Sequence, residues 1–240
     1  WIRPLAEKNH PGSLQMPIIA WWGTYANVAP LYDVLIADQY PRCEDKSEFA
    51  SPLYEVSFDA ARAVTAARVN GRTAIYMPPV FDNLPGNWTV ATLAEQRYLC
   101  FAPITRGAMG LMGWRLNRCS QAHREQVVYP VLKEVSRLKD FFLGSWHDEL
   151  VSSNHDTATA DYLRKFSARS KLMTGEEDGE VVTVEDFVPD VSYCLRRHPD
   201  GRWLLLAVNN RREPLSIKFQ LAIPDLPVTA EDVLSGRKLK

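Results

Sequence analysis

Four short apolar runs alternate with helix-like segments in the first part of the chain, and this alternation restricts the fold more than any other feature. The runs predict buried strands at about Pro17–Trp22, Tyr32–Asp38, Thr73–Met77 and Gly107–Trp114. Helical patterns follow at Phe58–Val69, from Thr92 to about Thr105, and over Ser120–Phe142. Strands that are apolar on both faces and alternate with helices are typical of parallel βα units. The sequence therefore predicts an α/β fold.

The predicted helices have local signals at their boundaries. Asn70-Gly71 is a good C-terminal stop, because glycine accepts the left-handed backbone that ends many helices. Thr92 followed by Glu95 fits a capping box at the start of the second helix. Pro130 predicts either a kink or a fresh first turn in the third.

The pattern changes after about Gly175. An acidic turn or linker precedes strand-like runs at Val181–Glu185, Val191–Arg197, Trp203–Asn209 and Leu215–Leu221. His198–Gly201 predicts a tight hairpin turn with His198 exposed. We therefore expect two domains, residues 1–175 and 176–240, and expect the chain end to truncate the second within a hairpin. Residues 145–174 predict only a loop and one helix near 159–170.

Composition and charge exclude several classes of function. Lys and Arg total 28 and Asp and Glu total 29, so a net charge of -1 gives no electrostatic support to a nucleic-acid partner. No apolar run approaches the roughly 18 residues of a membrane span. The four cysteines form no CxxC pair and are expected to be reduced core residues: Cys43, Cys100, Cys119 and Cys194.

Histidines and carboxylates cluster at His147–Glu149 and at His155-Asp156. Their spacing matches no metal-binding signature, and a solvated polar loop is the favoured interpretation. No glycine-rich phosphate loop follows a strand, and no GxSxG elbow is present. We therefore expect neither a metal nor a cofactor.

Three segments resemble a known group of enzymes. Asp33–Pro41 is similar to the strand end "vD-x-x-x-x-D-x-YP" of many (β/α)8-barrel glycoside hydrolases. Arg106–Arg115 resembles the strand that closes such barrels, and Leu204–Asn210 resembles a strand of the β-sandwich that often follows them. The resemblance implies the second half of a (β/α)8 TIM-type barrel followed by a small antiparallel β-sandwich domain. It also implies hydrolysis of an oligosaccharide or polysaccharide, with a secreted or periplasmic location favoured.

The chain is short for that architecture. A complete barrel takes roughly 200–250 residues, and the four predicted βα units cover only about the first 145. The first four barrel strands would then come from a second polypeptide or a missing segment. The alternative is an open α/β sheet with a β appendix.

The candidate site residues follow from the strand ends. In parallel βα architectures, reactive groups lie at the carboxyl ends of the strands. Glycoside hydrolysis needs two carboxyls, and Asp38 and Asp82 are the candidate catalytic residues. Aromatic rings stack on sugar rings while polar groups bind the hydroxyls. The candidate substrate-binding residues at these ends are Trp22, Tyr40, Tyr76, Trp114 and Arg115.

Structural roles and other functions compete with this hypothesis. Asp38 and Asp82 also suit turns, and Trp114 also suits a core position. The strand that matches the seventh barrel strand, Thr73–Pro79, has no Glu, although the largest clan of barrel glycosidases has its nucleophile there. A non-catalytic carbohydrate-binding or scaffold protein is therefore the main alternative. A metal-dependent barrel hydrolase ranks last, because no His lies on a predicted strand end.

Overall fold

The computed structural model describes residues 8, 11–20, 24–39, 53–82, 90–156, 188–224 and 229–239. Its strands are β1 (Ile18–Ile19), β2 (Val34–Ala37), β3 (Thr73–Tyr76), β4 (Ser145–Trp146), β5 (Val151–Ser153), β6 (Val191–Arg197), β7 (Trp203–Asn209), β8 (Phe219–Leu221), β9 (Ala230–Asp232) and β10 (Arg237–Leu239). Its α-helices are α1 (Tyr25–Val28), α2 (Glu55–Val69), α3 (Leu93–Thr105), α4 (Gln121–His123) and α5 (Tyr129–Phe142). Short 3-10 turns lie at Ala29–Leu31, Leu116–Arg118 and Asp148–Leu150, and a π-helical turn lies at Arg124–Val128.

The first part of the chain forms a parallel sheet in the order β1-β2-β3. The predicted fourth strand continues this order as isolated bridges, because parallel bridges join Tyr76 to Leu111 and Pro79 to Trp114. Half of a barrel and an open sheet both contain parallel strands in consecutive order. The choice between these two fold classes therefore stays a prediction.

Two glycines explain how closely the fourth segment approaches β3. A Cβ added to Gly110 would lie 3.1 Å from Cγ2 of Ile75, and one added to Gly113 would lie 3.2 Å from Cγ2 of Val80. Larger residues at these positions would push the two backbones apart.

Helix α2 packs on the parallel sheet through small side chains. Ala60, Ala63 and Ala67 are almost fully buried, in one cluster with Leu35 and Ala37 of β2. Because alanine adds little bulk, the helix axis lies close to the strands. This cluster forms a hydrophobic core between the helix and the parallel sheet.

The predicted end of α2 is confirmed. Gly71 has a φ of 63°, its N–H donates to the Arg68 carbonyl at 3.0 Å, and the Arg72 N–H donates to the Ala67 carbonyl at 2.8 Å. Together these two bonds form a Schellman motif around the C-cap residue Asn70.

The structure also describes the start of the second predicted helix and the surroundings of Pro130 in the third. The Thr92 side chain accepts the Glu95 N–H while the Glu95 carboxylate accepts the Thr92 N–H, so the capping box at the start of α3 is confirmed. A π-helical turn ends at Val128, and Pro130 lies in the first turn of α5. Val128 and Tyr129 both have right-handed helical backbone angles, so the helix continues from the π-helical turn into α5, and Pro130 lies just after the change between the two.

The later part of the chain forms antiparallel sheets in the orders β4-β6-β7, β5-β8 and β9-β10. Strand β7 has an alternating pattern. Its side chains at Trp203 and Leu205 contact the core shared with β5 and β8, whereas Leu204, Leu206 and Val208 pack against helices α3 and α5. The β6-β7 pair is thus covered on both faces.

Strand pairing in this part of the molecule crosses the predicted domain boundary. Strands β4 and β5 precede residue 175, yet they pair with β6 and β8, which follow it. Residues 175 and 176 themselves lie outside the described residues, so the division at that point stays a prediction.

A buried polar network joins the helices to the antiparallel sheet. The hydroxyls of Ser57 on α2 and Ser192 on β6 lie 3.0 Å apart, and Ser192 also accepts the Asn210 amide N–H at 2.7 Å. The Tyr98 hydroxyl on α3 donates to Oδ1 of Asn210 at 2.8 Å. Because these groups are buried and bonded to one another, they fix one orientation of the sheet against the helices.

The predictions for the hairpin turn at His198, for the last strand and for two other segments can be compared with the structure. The prediction that His198 is exposed is wrong, because its ring packs 5.1 Å from the Phe141 ring and its side chain is 19% exposed. The last predicted strand is shorter than expected and covers only β8. The predicted strand at 181–185 and the helix near 159–170 lie outside the described residues.

The prediction that the cysteines are reduced core residues is confirmed for the three that the structure describes. Cys100, Cys119 and Cys194 are buried and free, and Cys43 lies outside the described residues. Among the helices described, none combines the length and apolarity of a membrane span.

Candidate functional site

Asp38 and Tyr76 lie together at the carboxyl ends of two neighbouring strands. Ala37 and Tyr76 are paired residues of β2 and β3, and the Met77 N–H donates to the Ala37 carbonyl at 2.8 Å. The Tyr76 hydroxyl donates to the Gln39 carbonyl at 3.0 Å, immediately beyond Asp38. Two of the residues selected from the sequence are therefore neighbours at this edge.

A buried pair that the sequence analysis missed lies close to Asp38. The Tyr25 hydroxyl donates to both carboxylate oxygens of Asp59, at 2.9 and 2.8 Å, and both side chains are at most 2% exposed. Desolvation raises the pKa of Asp59 to about 7, against a lowering effect of the Tyr25 hydrogen bond, and the Asp38 charge adds to the rise. Burial likewise raises the pKa of Tyr25.

The sequence holds a weak signal for this pair. Asp59 lies in the predicted helix, on the apolar face that the helix buries together with Ala60 and Ala63. A carboxyl on the apolar stripe of a helix requires a partner in the core. Tyr25 is far away along the chain, so only the folded structure identifies it as that partner.

The hydrogen bonds described for Asp82 are with Ser120 and Arg118 rather than with this cluster. The Asp82 carboxylate accepts the Ser120 N–H at 2.6 Å and also the Ser120 hydroxyl, and its own N–H donates to the Arg118 carbonyl at 3.3 Å. Desolvation raises the pKa of Asp82, but the Ser120 hydrogen bonds outweigh it and hold the pKa below its ordinary value. Ser120 is also the N-cap of α4, so Asp82 braces the start of that helix.

Trp114 and Arg115 form a stacked pair at the end of the fourth parallel segment. Trp114 is half-buried and Arg115 is exposed, with the guanidinium carbon 5.3 Å from the Trp114 ring centre. Arg115 has a φ of 60°, which directs the chain into the 3-10 turn that follows. Trp22 and Tyr40, the other two candidate binding residues, lie outside the described residues.

The histidine and carboxylate clusters have structural partners. The Asp156 carboxylate accepts the Tyr193 hydroxyl at 2.6 Å and the Ser153 N–H at 2.6 Å, and His155 lies 3.4 Å from an Asp190 oxygen. In the described ranges, no group of three or more His, Cys, Asp or Glu side chains is arranged to hold a metal ion.

The cluster of Tyr25, Asp38, Asp59 and Tyr76 contains the elements of acid–base chemistry. A carboxyl that keeps its proton near neutral pH, close to a second carboxyl, is the arrangement that general acid catalysis uses. All four side chains are at most 5% exposed, so a substrate would have to reach Asp38 through the residues that cover it. The same burial suits a structural link between α1, α2 and the strands.

Comparison with known proteins adds no assignment. The chain matches no family model, no curated protein and no solved structure.

Proposed function

We propose that this chain is a carbohydrate-active protein that resembles glycoside hydrolases, with its sugar site at the carboxyl ends of the parallel strands. The observation that carries the proposal is that Asp38, which directly follows β2, and Tyr76, the last residue of β3, lie at neighbouring strand ends, where Tyr76 pairs with Ala37 and bonds to the Gln39 carbonyl. Trp114 ends the next parallel segment and offers an aromatic face for a sugar ring.

Asp38 is the proposed reacting carboxyl. Hydrolysis of a glycosidic bond needs a second carboxyl as its partner. That partner is either Asp82, once its bonds to Ser120 are exchanged for a bond to substrate, or a residue outside this chain. Tyr76, Trp114 and Arg115 would bind the sugar, together with the sequence-predicted Trp22 and Tyr40.

A second proposal concerns the edge of the parallel sheet. In the described part of the chain, β1 has one strand neighbour, β2. Leu14, Met16 and Ile18 alternate along the extended segment that includes β1, and they are 68%, 42% and 50% exposed. An apolar stripe beside an open strand edge suits a further parallel strand. We propose that a second polypeptide or a missing segment supplies it, as half of a barrel would require.

The experiment that tests the hydrolase measures sugar release from a panel of oligosaccharides and polysaccharides by wild type, Asp38→Asn and Asp82→Asn. We expect Asp38→Asn to lower kcat by about 10²- to 10⁴-fold, the usual contribution of an acid or base group. An equal loss in Asp82→Asn, with its fold verified in the same way because Asp82 also braces α4, identifies it as the second carboxyl. Unchanged turnover in Asp38→Asn, with the fold verified by circular dichroism, would rule out the proposed role.

A non-catalytic carbohydrate-binding protein is the second candidate. The burial of Asp38 and Tyr76 favours it, because a closed cluster supports a fold more readily than it reaches a glycosidic bond. On this alternative, no substrate in the panel is cleaved. Glycan binding persists in Asp38→Asn and weakens in Trp114→Ala, as a glycan array would measure.

A further inference from the structure

A cleft of about 580 Å³ opens at the amino ends of the parallel strands, away from the site proposed above. Two arginines line its wall: Arg68, near the end of α2, and Arg72, just before β3. Trp146, Asp148 and Glu149 form another part of its wall. This volume is in the range of small-molecule sites.

Two guanidinium groups lie over the ring of Trp146. The Arg68 guanidinium carbon lies 4.6 Å from the centre of the Trp146 ring, and the Arg196 guanidinium also lies over that ring. Gly107 leaves the room for this stack, because a Cβ at its φ of 102° would come within 2.5 Å of Nη2 of Arg68 and 3.1 Å of Cη2 of Trp146. A side chain at this position would therefore have to displace Arg68 from the stack.

Arg196 is fully buried behind the cleft wall. Its Nη1 donates to Oδ1 of Asp148 and to the Leu195 carbonyl, each at 3.3 Å. Its Nε and Nη2 have no hydrogen-bond partner in the structure as described. A guanidinium has five N–H donors, and leaving buried donors unsatisfied is costly. The Arg196 guanidinium thus lies over Trp146 and is bonded to Asp148, two residues of the wall, while its Nε and Nη2 stay without a hydrogen-bond partner among the described residues.

The carboxylates of the cleft already have partners. Asp148 accepts the Leu195 N–H at 2.7 Å as well as Arg196, and Glu149 lies 3.3 Å from Nδ1 of His147. Arg72 is paired with Asp33, at 3.5 Å. Arg68 differs from these groups, because its recorded partner among the described residues is the ring of Trp146 rather than a carboxylate.

We propose that this cleft binds the oxyanion of a small molecule, a carboxylate or phosphate group, with Arg68 as its principal contact. A guanidinium offers parallel N–H donors that match such an anion, and its stacking on Trp146 fixes their direction in advance. Arg196, whose guanidinium also lies over this ring, adds positive charge nearby. The carbohydrate hypothesis plays no part in this proposal.

Isothermal titration of the full chain with inorganic phosphate and with glucuronate at low ionic strength tests the proposal. We expect wild type to bind at least one of these two probes, which together distinguish a phosphate ligand from an acidic sugar. Arg68→Gln should weaken that binding at least tenfold, and Arg68→Lys should weaken it less, because it keeps the charge without the planar fork.

Arg62→Gln is the matched control, since Arg62 lies on the same helix and over another aromatic ring, Phe58, but outside the cleft wall. It should bind as wild type does. Arg68 is exposed, so its variants should fold, and melting temperatures verify this. Two outcomes would overturn the proposal: neither probe binds wild type at millimolar concentration, or Arg68→Gln binds as tightly as wild type.

Discussion

Asp59 and Asp82 are two carboxyls whose surroundings move their pKa values in opposite directions. Asp59 is buried against Tyr25, and desolvation raises its pKa to about 7. Asp82 is held by Ser120, and these hydrogen bonds keep its pKa below its ordinary value despite partial desolvation. At a pH between the two pKa values, Asp59 is therefore protonated while Asp82 is ionised, so the molecule holds a carboxylic acid and a carboxylate at the same pH.

The raised pKa of Asp59 predicts a dependence of stability on pH. In the unfolded chain this carboxyl loses its proton near pH 3.8, and in the folded protein near pH 7. Between these values the folded state binds more protons, so the Asp59 contribution to the free energy of unfolding falls as pH rises. At 1.36 kcal/mol per unit, the full loss is about 4 kcal/mol.

Urea unfolding of wild type and Asp59→Asn at several values from pH 4 to pH 7 checks this expectation. The variant should lack the fall, so the difference between the two proteins changes with pH. Asp82→Asn is a control whose difference from wild type should stay constant over this range, because a lowered pKa gives stability that is lost only as the pH falls below about 4. A parallel pH dependence in wild type and Asp59→Asn would contradict the expected ionisation.

At the scale of elements, the end of α2 depends on one backbone conformation. Gly71 has a left-handed φ, and both Schellman hydrogen bonds require it. A Cβ at this position would meet no neighbouring atom within 4 Å, so a substitution changes conformational energy rather than packing.

We expect Gly71→Ala to lower the free energy of unfolding by about 1–2 kcal/mol, the cost of a left-handed conformation for an ordinary residue. Gly71→Asn should cost less, because asparagine tolerates this region better. Chemical denaturation of the two variants provides the measurement. Equal losses in both would show that the left-handed backbone is not the cause.

Local signals in the sequence predicted some elements and missed others for a physical reason. The capping box at Thr92, the stop at Gly71 and the paired strands β6 and β7 follow from residues that are close together along the chain. Strands β4 and β5 have two and three residues, and partners far along the chain stabilise them. Their sequences alone gave no periodic pattern to read.

The candidate site shows the same division. Asp38 and Tyr76 could be selected because strand ends are visible in the sequence, and the structure makes them neighbours. The Tyr25–Asp59 pair and the stack on Trp146 arise from tertiary contacts, which no spacing along the chain encodes. Asp82 matched the strand-end rule as well, yet its contacts are those of a helix brace.

At the scale of the whole molecule, the edge at β1 predicts the composition of the native particle. If a second polypeptide or a missing segment covers Leu14, Met16 and Ile18, the particle isolated under native conditions is heavier than 27.2 kDa. Native mass spectrometry, with denaturing mass alongside, measures both quantities. A stable monomer of 27.2 kDa would contradict the covered edge and favour the open sheet.

The pairing of β5 with β8 has a consequence for biosynthesis. A ribosome that has just completed β5 must add roughly 70 residues before β8 exists, which takes about 3–14 s at 5–20 residues per second. During that interval the nascent chain exposes Val151 and the backbone of β5, because the partner strand β8 is not yet made. Slower translation of this stretch lengthens the exposure, so the yield of folded protein should depend on codon choice between the two strands.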